Sequence, residues 1–192
     1  MKLLFVTSLL ILLTACGGTP TKTHYYLLRA DTEQQGSHAL SNDGIYLATV
    51  HIASYLDQNG LVLETSDGQT NPAHYHVWSE PLRDSLKGFF AEEISKSANK
   101  SVHIDRQISA RKIRLDITID QLHGTNNGQA LIAAHWTVTT DNDQHSKKSF
   151  RFNRTTALEA SGYPALVSAE KKLLIQLAEA IAKHLPSAQQ PQ

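Results

Sequence analysis

A two-layer α+β domain, a mixed or antiparallel sheet packed by two long amphipathic helices, is the fold class this chain predicts. Three observations carry that reading. Short apolar runs rich in β-branched and aromatic residues fill the first half, a long alternating hairpin follows, and two stretches carry helical apolar spacing. A length of 192 residues suits one domain.

The elements follow in order. Tyr25–Arg29, Ile45–Ile52 and Leu61–Thr65 read as strands, the last closed by a turn at Asp67-Gly68. Ala73–Trp78 is a further strand that leads into a helix, with Ser79 as its expected N-cap and Pro81 in its first turn. Leu82, Leu86, Phe89, Phe90 and Ile94 recur at helical intervals, and Arg83, Asp84, Lys87 and Glu93 are expected on the opposite side.

Between Arg111 and Asp141 the period changes to two. Ile113, Leu115, Ile117 and Ile119 alternate with Arg114, Asp116, Thr118 and Asp120. Asn127-Gly128 is a strong two-residue turn signal. Such a turn would pair Arg114 with Asp141, Thr118 with Thr137 and Asp120 with His135, and on the apolar face Ile117 with Val138 and Ile119 with Trp136. Lys148–Arg154 offers a third strand with Phe150 and Phe152 on one side. In Tyr163–Leu185, Leu166, Val167, Leu173, Leu174, Leu177, Ile181 and Leu185 form one stripe, away from Lys171, Lys172, Gln176, Glu179 and Lys183. Phe89, Phe90, Leu174 and Leu177 are the expected contacts between helices and sheet.

Charge and cysteine content exclude several classes. Basic and acidic residues balance at 18 each, so the electrostatic footprint of a nucleic-acid binder is missing. The one cysteine cannot form an internal disulfide, and no Cys/His set has zinc-site spacing.

That cysteine has another context. Lys2 and the apolar run Leu3–Leu13 make an export signal over residues 1–15, too short for a spanning helix of ~20 residues. It ends in Leu13-Thr14-Ala15-Cys16, which resembles the bacterial lipoprotein box. In such proteins the signal is cut before the cysteine, whose thiol carries a diacylglycerol and whose new amine is acylated. Residues 16–23 then form a lipidated tether, 24–186 the domain and 187–192 a frayed tail. Gly17, where inner-membrane lipoproteins often carry Asp, resembles the pattern that sorts to the outer membrane.

The chemistry-bearing residues have plain readings. Asp116 and Asp120 lie four residues apart on a strand, ~13 Å, too far for a carboxylate pair of the glycosidase kind. Asp120 opposite His135 is two-thirds of an acid–base triad, but no Ser stands in a G-x-S-x-G elbow to complete it. His74 and His76 share one side of a strand, half of a metal site without a third ligand. No phosphate-loop, zinc-protease or dinucleotide motif is present. The reading is of a non-enzyme with no cofactor beyond the acyl chains on Cys16.

Several short segments, in order, resemble the ABC-type transport auxiliary lipoproteins, also described as PqiC-like or YmbA-like. After Cys16 they are Tyr25-Tyr26-Leu27-Leu28, Tyr55-Leu56-Asp57 and Trp78-Ser79-Glu80-Pro81-Leu82, then the long hairpin with Leu131 and Trp136 and the Ala/Leu-rich last helix. The chain departs from the pattern at Gln58-Asn59-Gly60, where many relatives carry a basic residue and Pro.

This resemblance implies an outer-membrane lipoprotein, facing the periplasm, that works with an MCE-type (Pqi-like) lipid transport system. Its partner would be an inner-membrane-anchored MCE-domain protein, docked for lipid passage in support of envelope integrity. A ring-shaped partner would favour a homo-oligomer. Two alternatives stay open: a periplasmic module that binds lipid in its own cavity, and a lipid-modifying hydrolase using Asp120, His135 and an unplaced Ser.

Overall fold

The computed structural model describes residues 21–30, 44–66, 68–104, 113–140 and 146–186. The export signal, Leu13–Cys16, the tether up to Pro20, Asp67, Asp141 and the tail 187–192 lie outside the described residues.

The described chain runs β1 (His24–Tyr26), β2 (Ile45–Ile52), a 3₁₀ turn (Ser54–Leu56), β3 (Gly60–Glu64) and β4 (Thr70–Trp78). Helix α1 (Leu82–Ala98) and the short β5 (Val102–His103) follow, then β6 (Ile113–Thr125), β7 (Gln129–Thr140), β8 (Ser146–Ala157) and helix α2 (Tyr163–Lys183). All eight strands join one mixed sheet, and the two helices pack on it and on each other. This is the α+β two-layer architecture that the alternating and helical periods imply.

Strand β6 organises the sheet. Along one side it pairs antiparallel with β7, which pairs antiparallel with β8. Its other side is shared. Parallel β2 runs beside Ile113–Ile119, and parallel β3 meets it only at Gly124 and Thr125. Beyond β2 lies β5; beyond β3 lie β4 and then the edge strand β1.

The hairpin departs from the expected register. Its loop has three residues, 126–128, rather than two, and only Gly128 of them has a positive φ, +70°. A two-residue I′ turn needs left-handed backbone at both centres; a three-residue loop needs it only at its last position. Further along, Ile119 pairs with Ala134 and Gln121 with Ala133, so Asp120 is bulged out of the ladder. Ile117 therefore faces Trp136, Leu115 faces Val138, and Thr118 faces His135. Arg114 faces Thr139 rather than Asp141. The longer loop and the bulge each slip the pairing by one residue. Two slips restore the period-two phase, so the apolar face survives although its predicted pairs do not.

Packing follows the apolar faces. Phe89, Phe90, Leu174 and Leu177 are buried with Ile117, Ile119 and Trp136 in one core. Phe152 is buried and Phe150 stacks on Trp136 at 5.2 Å. Three expectations need correction. Helix α1 starts with Pro81 as N-cap and without a side-chain cap; Ser79 lies two residues ahead of that position, its N–H donating to Tyr26 O at 2.8 Å. Glu93, expected on the polar side, is buried. Strand β1 ends at Tyr26 rather than reaching Arg29.

Candidate functional site

The segments Tyr25–Leu28 and Trp78–Leu82, some fifty residues apart, meet at one corner of the sheet. Tyr26 pairs with Trp78 across parallel strands, and the Ser79 N–H then donates to Tyr26 O. Arg29 closes the corner by donating to the Glu80 carboxylate, which also accepts the Ser85 hydroxyl at 3.2 Å. The Arg29 hydrogen bond holds the Glu80 carboxyl below its ordinary range. Trp78, Leu82 and Leu28 are buried beneath, so these positions fasten the first strand to the first helix.

Alternation along β1 and β4 gives the corner two faces. On the helix side, His76 stacks between His24 at 4.9 Å and Tyr163 at 4.2 Å. Tyr26 Oη and His76 Nδ1 share a hydrogen bond at 2.8 Å. Burial, and then the nearby Tyr163, push the Tyr26 phenol above its ordinary pKa. A shallow cleft of ≈ 370 Å³ runs past Lys22, His24, His74, His76 and Tyr163. His24 and His76 lie face to face, 5° from parallel, and imidazoles bind metals through ring-plane nitrogens rather than faces. Among the described residues no group of three His, Cys, Asp or Glu is placed to hold a metal.

The third segment, Tyr55-Leu56-Asp57, sits where β6 changes partner. The β2 pairing ends at Ile119, the bulge follows, and the Leu122 N–H donates to Tyr55 Oη at 3.3 Å. Burial pushes the Tyr55 phenol up in pKa, against that hydrogen bond. Leu56 is buried, and Asp57 accepts from Arg83 at 2.8 Å, tying the 3₁₀ turn to α1. Gln58 donates to Tyr55 O at 3.0 Å, and Gly60 opens β3. A Cβ at Gly60 would sit 2.5 Å from Ala73 O, which explains Gly in the stretch that departs from the family pattern.

Of the hydrolase candidates, Asp120 and His135 come together. The Asp120 carboxylate accepts from His135 Nδ1 at 2.8 Å although the two are not ladder partners, because the bulge carries Asp120 alongside. Both side chains are about half exposed, and Asp120 is the imidazole's hydrogen-bond partner among the described residues. Burial would raise the Asp116 carboxyl, but hydrogen bonds from Arg114 and Thr49 hold it below its usual range. One group escaped the sequence reading. Glu170, four residues after Leu166 and four before Leu174, is 2% exposed, and burial pushes its carboxyl up to about 8. Its place on the leucine stripe was the available signal.

Among the described residues no helix is long and apolar enough to cross a membrane. The family model of the ABC-type transport auxiliary lipoprotein component matches residues 26–182. The chain is 23% identical over 188 residues to the intermembrane transport lipoprotein PqiC of Escherichia coli (strain K12), covering 96% of this chain and 98% of that one. The Shigella flexneri PqiC matches equally. Among solved structures, an uncharacterized protein superposes with a TM-score of 0.73 at 23% identity, over 85% of this chain and 98% of its own. A Xanthomonas campestris protein follows at 0.61 and 14%, over 84% and 91%. These likenesses support the fold. With its model matched across nearly the whole domain, the chain belongs to the ABC-type transport auxiliary lipoprotein family.

Proposed function

We propose that this protein is the outer-membrane lipoprotein of an MCE-type, Pqi-like lipid transport system. Diacylglycerol and N-acyl chains on Cys16 hold it on the periplasmic face, where its domain docks an inner-membrane-anchored MCE-domain protein and supports envelope integrity. The observation that carries this reading is the full-length similarity to intermembrane transport lipoproteins; the three segments that resemble the family pattern fasten the fold. A docking component needs a rigid surface rather than a reactive centre. The space between sheet and helices is packed with Phe89, Phe90, Trp136, Leu173 and Leu174, which favours docking over lipid storage inside the domain.

The test is crosslinking in living cells, followed by purification of the full-length lipoprotein and mass spectrometry. Enrichment of an MCE-domain protein, with no ester turnover by the purified chain, supports the reading. Recovery without such a partner, together with esterase activity abolished by His135→Ala, would favour the hydrolase instead.

A further inference from the structure

The outer face of the sheet is polar across its middle and far strands. Arg114, Asp120 and Gln121 on β6 and Arg151 and Asn153 on β8 are exposed there. At the β1–β4 edge its character changes. Tyr25 is 70% exposed, Leu27 59% and Tyr75 47%. Tyr25 pairs with Val77 on this outer face while His24, Tyr26 and His76 point to the helix side, and Tyr75, at the rim of the cleft, is exposed beside them. Three large exposed apolar side chains in one corner are what a surface meant only for water avoids.

The corner is also where the chain arrives from its anchor. Seven residues lie between Cys16 and His24, and the eight Cα–Cα steps reach at most ~26–29 Å when fully extended. We propose that Tyr25, Leu27 and Tyr75 form a membrane-contact patch that rests in the headgroup region of the bilayer carrying the lipidated Cys16, and so sets the domain's orientation. Tyrosine suits that position because its ring is apolar and its hydroxyl stays hydrated. With the apolar corner down, the polar β8 edge, five strand spacings or ~24 Å away, would be lifted toward the periplasm. This inference rests on the lipid-anchor reading, and its test separates the two.

The experiment uses full-length lipidated protein in vesicles of phosphatidylethanolamine and phosphatidylglycerol, with part of the lipid replaced by bromine-labelled phosphatidylcholine. Tyr25→Trp places a reporter in the patch and Asn153→Trp places one on the far strand. The buried Trp78 and Trp136 give a background measured in the unsubstituted chain. The expected result is a blue shift of the residue-25 reporter and loss of its emission with brominated lipid, with the residue-153 reporter unchanged. Adding Leu27→Asp and Tyr75→Asp should abolish that quenching while the protein still sediments with vesicles. Sedimentation without quenching at residue 25 overturns the patch and leaves the anchor standing. A blue shift insensitive to bromine would show a second copy or protein partner covering the corner, and also overturns it. Failure to sediment overturns the anchor and the patch together.

Discussion

The Tyr55 hydroxyl accepts the backbone N–H of Leu122 at the one stretch of β6 where neither β2 nor β3 lies alongside. A buried amide without a partner costs free energy comparable to a lost hydrogen bond, so a phenol stands in for a missing strand. Tyr55→Phe keeps the ring and removes the acceptor. It should lower stability by about 1–3 kcal/mol in urea denaturation with little change in slope. A neutral result would mean that water replaces the hydroxyl.

That junction also marks the limit of what periodicity could reveal. Alternation in Ile113–Ile119 and its partner strand identified both faces of the hairpin, because each side chain's face depends on parity alone. Parity is blind to a slip of two. The loop's third residue and the Asp120 bulge were therefore invisible to face-sorting, although two successive polar residues, Asp120-Gln121, interrupt the alternation and mark the bulge. The sharing of β6 between β2 and β3 is a non-local choice that no local pattern records. At the candidate site, sequence order showed which segments matter. That Tyr26, Trp78 and Ser79 meet follows from a parallel pairing only the fold displays.

Phe89 is 2% exposed and meets Phe90 edge-on at 5.9 Å. Phe89→Ala should cost about 3–5 kcal/mol in equilibrium unfolding, the range for a buried phenyl that leaves a cavity. A near-zero change would place the α1 face against solvent or a partner.

Gly60→Ala should destabilise by about 1–3 kcal/mol, since the new methyl meets the Ala73 carbonyl and the β3–β4 ladder must shift. Gly88→Ala is the control: its Cβ meets nothing within 4 Å. There, alanine's better helix propensity should make the change neutral or stabilising.

Glu170 gives a pH dependence of definite sign. Its carboxyl titrates at about 8 in the folded protein against 4.5 ordinarily, so the folded state binds the proton more tightly. The resulting stability is full below about pH 4.5 and is lost as pH rises through about 8. Thermal unfolding from pH 5 to 9 should show the native chain losing stability relative to Glu170→Gln, whose amide does not titrate there. Parallel curves for the two proteins would contradict a buried, proton-binding carboxyl.

The central claim is that the domain works at the outer membrane because Cys16 holds it there. Two or more acyl chains give stable attachment where a single myristoyl chain is marginal. The direct measurement is labelled-palmitate incorporation with membrane fractionation, comparing the native protein with Cys16→Ser in cells lacking the proposed partner. The native chain should take label and sediment with the outer membrane, while Cys16→Ser takes none and stays soluble or unprocessed. A Cys16→Ser protein that still incorporates palmitate, or still sediments with the outer membrane, would contradict the account.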